Sequence, residues 1–250
     1  MNAILKSIRL LNTRPKYQSE TLSEDIKQLG GVVIDLPTLI IEPTDDSWIT
    51  QLSPLMTYHK IIFISMNAIM YSMGRSLTAF DATRQQCFTM GESSASLLES
   101  YIHSNVIYPS ISDSEHLLDL PEFQCCQHEN ILIIKGVGGR TLLKDSLEQK
   151  GANVTEVDVY SRINAPDVCD KLSALWLENA FDIILVTSEQ SLLHLLHSAQ
   201  GECLTWLKQK TFLVISQRLA LIAKEQGLNH LIIAPPNKLI DALIDYEKGR

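Results

Sequence analysis

The chain has 250 residues, of which 45% are apolar, and its formal net charge at pH 7 is −8. Apolar content of this size is typical of a globular protein, and the acidic balance argues against non-specific binding to nucleic acid or anionic membranes. The five cysteines show no C-x-x-C spacing, which argues against a disulfide framework or a zinc site and favours small buried thiols. Residues 1–11 lack the apolar core of a secretory signal, and no apolar run is long enough to span a bilayer. We therefore predict a cytoplasmic protein.

Short apolar runs alternate with helical patterns in the first half of the chain. The predicted elements, in order, are a strand at 8–11, a helix from about 19 to 29, a strand at 32–36 and a strand at 61–64. The helix has one apolar stripe, formed by Leu22, Ile26 and Leu29, and Gly30 is its C-terminal stop signal.

The second half shows the same alternation. The predicted elements are a strand at 131–134, a glycine turn at 136–139, a helix at 142–150, and strands at 154–159 and 183–186. The runs 61–64 and 183–186 are continuous and rich in β-branched residues, which is typical of strands that are buried on both faces of a parallel sheet. Strands that alternate with helices of this length predict an α/β fold with doubly wound parallel sheets.

Three residue pairs have the spacing of a capping box, in which a hydroxyl caps a helix and an acid or amide follows three residues later. They are Ser96 with Glu99, Ser112 with Glu115, and Thr187 with Gln190.

The two halves repeat one another at a nearly constant offset. The matching segments are 22–33 with 143–154, 61–65 with 183–187, 87–91 with 212–216, and 107–109 with 233–235, at offsets of 121, 122, 125 and 126. Repetition of this kind predicts two similar lobes, and two lobes imply a cleft in which a small ligand could bind.

Two patterns with chemical meaning are incomplete. Residues 135–140 form a glycine turn between a strand and a helix, but Thr141 stands where a dinucleotide fingerprint needs a small residue. A plain tight turn or an anion-binding turn are the alternatives. His194 and His197 have the spacing of metal ligands, but no third ligand is near in sequence, so structural or surface histidines are favoured.

Hydroxyl and amide side chains follow most of the predicted strands. In a doubly wound sheet these turns meet at the carboxyl ends of the strands, where ligands bind and where helix N-termini offer free N–H groups. Each turn alone is explained by ordinary helix capping. As a set they predict a site for a polyanion. The turns are 13–14, 65–67, 91–94, 187–188 and 216–218.

With these motifs in this order, the chain resembles the uroporphyrinogen-III synthase family from about residue 8 to residue 245. The matching segments are 12–15, 62–68, 91–95, 136–140, 159–162, 187–188 and 216–220. The resemblance implies two flavodoxin-like lobes that exchange their ends, with residues 1–38 and 165–250 in one lobe and 39–164 in the other. Segments 36–43 and 158–166 would then form a two-stranded linker.

The family converts linear hydroxymethylbilane to uroporphyrinogen III in haem biosynthesis, with loss of water and inversion of ring D through a spiro intermediate. The resemblance implies a lyase that uses no cofactor and no metal. We expect a monomer that receives its small-molecule substrate from hydroxymethylbilane synthase, with no nucleic-acid or membrane partner. The residues that the matching motifs make candidate substrate contacts are Thr13, Arg14, Ser65, Asn67, Ser93, Ser94, Gly136, Arg140, Thr187 and Ser188.

Tyr160 matches the family's candidate for the general acid that protonates the departing hydroxyl. The alternative is a tyrosine that only braces the linker between lobes. For the whole chain, the alternatives are a non-catalytic two-lobed module that binds small anions, and a nucleotide-dependent enzyme built on residues 136–140.

Overall fold

The computed structural model describes residues 4–52, 54–73 and 85–249. The strands, in chain order, are β1 (Arg9–Asn12), β2 (Val32–Asp35), β3 (Leu39–Pro43), β4 (Lys60–Phe63), β5 (Gln86–Thr89), β6 (Asn130–Gly136), β7 (Asn153–Asn164), β8 (Ile183–Val186), β9 (Thr211–Val214) and β10 (Leu231–Ile233).

The helices, in chain order, are α1 (Lys16–Gln28), α2 (Ser47–Thr50), α3 (Met66–Ser72), α4 (Glu92–Ile102), α5 (Ser114–Leu118), α6 (Leu142–Gln149), α7 (Val168–Leu177), α8 (Glu189–His197), α9 (Gly201–Lys208), α10 (Gln217–Glu225) and α11 (Leu239–Lys248). Short 3-10 turns lie at Leu55–Thr57, Pro121–Phe123 and Pro236–Lys238. The alternation of strands and helices confirms the predicted α/β class.

The chain divides into two compact units. Unit 1 contains the residues up to Ile40 and those from Ile163 onward, and unit 2 contains Ile41–Arg162. The chain therefore passes from one unit to the other within β3 and again within β7. The sequence-based division was at 38/39 and 164/165.

Unit 1 has a five-stranded sheet in the order β2-β1-β8-β9-β10, and all of its strand pairs are parallel. In the sequence order of this unit's own strands, that arrangement is 2-1-3-4-5, the flavodoxin-like order. The strand order reverses between β1 and β8, and ligands of such sheets bind outside the carboxyl ends of the strands at this switch point.

Unit 2 has a five-stranded sheet in the order β3-β7-β6-β4-β5, in which β7, β6, β4 and β5 pair in parallel. An isolated parallel bridge from Phe88 to Ile107 extends it beyond β5. Under the repeat, β6, β7, β4 and β5 correspond to β1, β2, β8 and β9, and the bridge at Ile107 corresponds to β10. The switch point of unit 2 therefore lies between β6 and β4.

Both sheets are covered on both faces, because neighbouring residues of one strand belong to different hydrophobic clusters. In unit 1, Leu10 and Ile183 pack with α1 and α11, whereas Leu11 and Ile184 pack with helices of the opposite face. In unit 2, Ile61 and Ile62 divide in the same way. Continuous apolar strands are what this double burial requires, which confirms the prediction for 61–64 and 183–186.

The three predicted capping boxes are wrong in detail. Helix α8 is capped by Ser188, whose hydroxyl accepts the Ser191 N–H, and Thr187 lies one residue before the cap. Helix α5 is capped by Asp113 rather than Ser112.

Ser96 lies inside α4, whose cap is Gly91. A Cβ atom at Gly91 would fall 2.3 Å from the Ser112 hydroxyl, so the close approach of a neighbouring loop decides the cap there. The spacing of a capping box in the sequence does not indicate where a distant loop comes close to a helix N-terminus.

The cysteines divide into two groups. Cys87, Cys126 and Cys203 are buried, and burial raises the pKa of each of these thiols. Cys125 and Cys169 are exposed, which corrects the expectation of uniformly buried thiols. Within the described segments, no helix combines the length and the apolar character needed to cross a membrane.

Candidate functional site

The switch point of unit 2 brings three of the predicted site residues together. Ser65 follows β4 and caps α3, where its hydroxyl accepts the Ala68 N–H at 3.2 Å. Gly136 is the last residue of β6, and Tyr160 lies beside it on β7. These positions lie at the carboxyl ends of neighbouring parallel strands, so the topology places the three residues at one edge of the sheet.

A register shift in the β6–β7 ladder determines the position of the Tyr160 ring. The shift falls between Lys135 and Gly136, and it places Gly136 opposite Tyr160. A Cβ atom at Gly136 would lie 2.5 Å from Cζ of the Tyr160 ring, so only glycine leaves room for the ring in this position. The ring also stacks on Tyr71, with centroids 6.1 Å apart.

Among the described residues, the Tyr160 hydroxyl has two polar partners. It lies 3.1 Å from the Ser65 hydroxyl oxygen, and the Arg162 Nη2 donates a hydrogen bond to it at 2.9 Å. The Arg162 guanidinium also lies over the ring, with Cζ 5.3 Å from the centroid. Tyr160 is only 1% exposed, so these contacts are protected from bulk solvent.

A cavity of about 200 Å³ adjoins this group within unit 2. Its wall includes Tyr160, Arg162 and the glycine turn after β6, in which Gly138 and Gly139 adopt φ values of 76° and 101°. The same wall carries Arg140, which is exposed and pairs with Glu115 at 2.8 Å. The cavity therefore offers a phenol, cationic side chains and open main chain to a ligand.

The other candidates of unit 2 lie in α3 and α4. Asn67 is 4% exposed, and its Oδ1 is buried without a hydrogen-bond partner in the described part of the chain. Ser94 is buried in the first turn of α4, whereas Ser93 is exposed. An unpaired buried acceptor costs about 1–3 kcal/mol, which makes Asn67 a notable position.

At the switch point of unit 1, the Thr13 hydroxyl makes hydrogen bonds with neighbouring residues. Its hydroxyl donates to the Leu185 carbonyl at 2.7 Å and lies 3.0 Å from the Ser191 hydroxyl, which in turn contacts Thr38. Thr13 is 1% exposed. This geometry favours a role in holding the turn, and substrate contact by the Thr13 hydroxyl stays a prediction from the sequence.

Arg14 follows Thr13 and is half-buried. Its Nε is buried and has no hydrogen-bond partner among the described residues. Burial lowers the pKa of the guanidinium from its ordinary value. Arg14 lines a cavity of about 340 Å³ between α1 and the segment around Asn237, within unit 1. A cation held in this way is suited to an anionic ligand.

Thr187 and Ser188 lie at the end of β8, at the same switch point. Ser188 lines a cavity of about 520 Å³ in unit 1 together with His194, His197 and Arg218. The His194 ring nitrogen Nε2 lies 3.0 Å from the Ala165 carbonyl oxygen. Across residues 4–52, 54–73 and 85–249, no group of three or more His, Cys, Asp or Glu side chains is arranged to hold a metal ion.

Sequence reasoning gave no role to Arg162, although it lies within a matching motif. The available signal was its spacing: residues two apart on a strand point to the same face, so Arg162 follows Tyr160 onto the same side of β7. The contact between Ser65 and Tyr160, which are 95 residues apart, had no such local signal.

The chain is similar to known proteins over nearly its whole length. The family model described as "Uroporphyrinogen-III synthase HemD" matches residues 20–245. The chain is 29% identical over 242 residues to uroporphyrinogen-III synthase of Escherichia coli K12, covering 94% of this chain and 98% of the relative. It is 27% identical over 248 residues to the Salmonella typhimurium enzyme of the same name, with the same shares covered.

Solved structures share the fold. The uroporphyrinogen III synthase of Thermus thermophilus, in a mutant form, has a TM-score of 0.64 at 15% identity, covering 97% of this chain and 98% of that one. The corresponding Helicobacter pylori structure has a TM-score of 0.63 at 16% identity, covering 97% and 99%. Since the family model spans residues 20–245, the chain belongs to the uroporphyrinogen-III synthase family.

Proposed function

We propose that this chain is a lyase that closes hydroxymethylbilane to uroporphyrinogen III with loss of water and inversion of ring D. The observation that carries the proposal is Tyr160: a buried phenol beside a cavity at a sheet switch point, in a chain of this family. Family membership supports this function over a non-catalytic anion-binding module.

The chemical task that we assign to Tyr160 is protonation of the departing hydroxyl. Its O–H gives a proton to that oxygen, the C–O bond breaks, and water leaves behind a cation on ring A, the terminal pyrrole at the opposite end from ring D. The substituted carbon of ring D attacks this cation to form the spiro intermediate. The spiro intermediate then rearranges and the last C–C bond forms. The macrocycle loses one proton in this step, and that proton returns to the phenolate and restores the phenol. The sum is loss of one water molecule.

Control of geometry is the larger part of the task, because free hydroxymethylbilane closes without an enzyme to the wrong isomer. Holding reacting groups in one orientation can supply several kcal/mol of the barrier reduction. The unit 2 cavity of about 200 Å³ lies below the usual range for drug-sized ligands, so we assign it only the reacting end of the substrate.

Local donors must bind the eight carboxylates of the substrate, since a protein of net charge −8 repels a polyanion at long range. Charge-assisted hydrogen bonds contribute about 1.5–3 kcal/mol each, and salt screens distant repulsion beyond about 10 Å. The residues that we assign to carboxylates are Arg14, Ser93, Ser94, Gly136, Arg140, Thr187 and Ser188, whereas Ser65 acts together with Tyr160 at the reacting end of the substrate. For Asn67, whose unpaired Oδ1 is buried, contact with the substrate stays a prediction from the sequence.

The test is to incubate the full chain with freshly generated hydroxymethylbilane, oxidise the products, and separate the isomers by chromatography. Formation of isomer III in excess of the enzyme-free control supports the proposal. Isomer I alone, at the enzyme-free rate, would overturn it and leave the anion-binding alternative. Cytoplasmic location, a monomeric state and delivery of substrate by hydroxymethylbilane synthase stay predictions from the sequence.

A further inference from the structure

The Tyr160 hydroxyl belongs to a chain of hydrogen bonds that begins at a permanent cation. Arg162 donates from Nη2 to the Tyr160 oxygen at 2.9 Å, and that oxygen lies 3.1 Å from the Ser65 hydroxyl. Ser65 in turn accepts the Ala68 N–H. All of these groups lie within unit 2.

The donors at the two ends of this series of hydrogen bonds determine how the hydroxyl protons between them can be arranged. A guanidinium and a backbone N–H can only donate, so the Tyr160 oxygen and the Ser65 oxygen each accept one hydrogen bond from them. The two hydroxyls carry two protons between them, and one of these occupies the hydrogen bond that joins the pair. The second O–H has to point to another acceptor, and the cavity that Tyr160 lines is where a ligand can supply one.

The cation also matters after the proton has been given away. Loss of a proton from the pair leaves a negative charge on an oxygen that already accepts a hydrogen bond from Arg162. Because the guanidinium already donates to that oxygen, it stabilises the charge without having to move. The position of Arg162 over the ring face, 5.3 Å from its centroid, holds the ring while this happens.

We infer that Arg162 is a positioning residue that acts through Tyr160. It directs the free O–H of the Tyr160–Ser65 pair toward the ligand and stabilises the phenolate that forms when the proton is transferred. This inference rests on the proposed function for the identity of the proton acceptor, the departing hydroxyl oxygen. The contact between Arg162 and Tyr160 stands independently of that function.

The first test is a double-mutant cycle on kcat for isomer III. Arg162→Gln lowers kcat about 10- to 100-fold, the range of a lost charge-assisted hydrogen bond, while KM changes less than about 3-fold. In the Tyr160→Phe background the same substitution has no further effect on kcat beyond about 2-fold, and Arg162→Lys recovers part of the activity. Equal losses in both backgrounds, or a change in KM alone, would overturn the inference.

The second test does not depend on turnover. In the full chain labelled with ¹³Cζ-tyrosine, the Tyr160 resonance is assigned by its disappearance in Tyr160→Phe. Arg162→Gln shifts that resonance, whereas the matched control Arg140→Gln does not, because Arg140 lines the same cavity but pairs with Glu115. An unmoved Tyr160 resonance in Arg162→Gln would refute the contact.

The two tests separate the possible failures. If the wild-type chain forms no isomer III, the proposed function fails and the NMR measurement still decides whether Arg162 acts on Tyr160. If isomer III forms but Arg162→Gln keeps wild-type kcat, the inference fails alone.

Discussion

Four strands of the unit 2 sheet follow the strand order of unit 1, yet the residues at the two switch points make different contacts. In unit 1 the Thr13 hydroxyl contacts the Leu185 carbonyl and the Ser191 hydroxyl, whereas Arg14, the next residue of the turn, lines a cavity. In unit 2 the equivalent strand ends in Gly136, and the room that it leaves holds the Tyr160 ring beside a cavity. A repeated backbone therefore does not imply repeated contacts: the Thr13 hydroxyl is held by a carbonyl and a hydroxyl, whereas Gly136 leaves room for the ring of another residue.

The matched pair Ser65 and Thr187 shows the same divergence. Ser65 caps α3 and contacts Tyr160, whereas in unit 1 the capping position moves one residue later, to Ser188. Thr187 is left beside the cap rather than in it. A one-residue shift in where a helix begins thus changes which hydroxyl remains available to a ligand.

The substitution with the largest expected effect on the difference between the two units removes the Tyr160 hydroxyl from unit 2. Tyr160→Phe is expected to lower kcat about 100-fold, the lower end of the contribution of a general acid. The matched control is Tyr71→Phe, which removes the hydroxyl of the stacked neighbour that donates to the Ile41 carbonyl. A loss of only 2- to 3-fold in Tyr160→Phe would make Tyr160 a residue that merely orients substrate.

The second way is to fill the space that unit 2 leaves open. Gly136→Ala places a Cβ atom 2.5 Å from the Tyr160 ring, so the ring must move, and we expect kcat to fall roughly 10- to 100-fold. Gly31→Ala introduces a contact of 2.7 Å with Ile26 in unit 1, and Gly31 is not among the residues that line the Tyr160 cavity. It should reduce the free energy of unfolding by about 1–3 kcal/mol and spare kcat. Comparable losses of kcat in the two variants would argue against a specific role for the ring position.

The third way is to remove the Thr13 hydroxyl from unit 1. Thr13→Val keeps the shape of the side chain and removes its hydroxyl from the contacts to Leu185 and Ser191. We expect the free energy of unfolding to fall by about 1–2 kcal/mol in urea denaturation. Thr205→Val, at an exposed helical position, is the control and should change it by less than about 0.5 kcal/mol. If Thr13→Val kept full stability but raised KM strongly, its hydroxyl would belong to the substrate site after all.

The smallest expected effect concerns the helix caps and pH. Hydrogen bonds from the His116 N–H and from its ring lower the pKa of Asp113, the cap of α5 in unit 2. The folded pKa lies below the unfolded value of about 3.9, so this stabilisation is complete above that pH and is lost as the pH falls through the folded pKa.

The check is thermal unfolding between pH 6 and pH 2 for wild type and Asp113→Ser. The serine cap cannot titrate, as the Ser188 and Ser216 caps of unit 1 cannot, so the variant should lose slightly less stability in acid. Parallel pH profiles for the two proteins would show that Asp113 contributes nothing measurable.

The sequence by itself determined the class of fold and the place where the site had to be sought. Apolar runs such as 183–186 and the spacing of Leu22 and Ile26 are local signals, since burial repeats with the period of a strand or a helix. The repeat between the halves and the polar turns after the strands pointed to the carboxyl ends of parallel sheets. The family resemblance, confirmed by the match over residues 20–245, supplied the chemistry.

Only the tertiary structure decided which partners the residues of these turns contact. The register shift at Gly136, the contact between Ser65 and Tyr160, and the burial of Thr13 all join residues that are far apart in the chain. Such contacts depend on how strands are registered and how closely loops approach, and local periodicity reports neither. For the same reason the sequence motif contained Arg162 but did not predict its hydrogen bond to the Tyr160 hydroxyl.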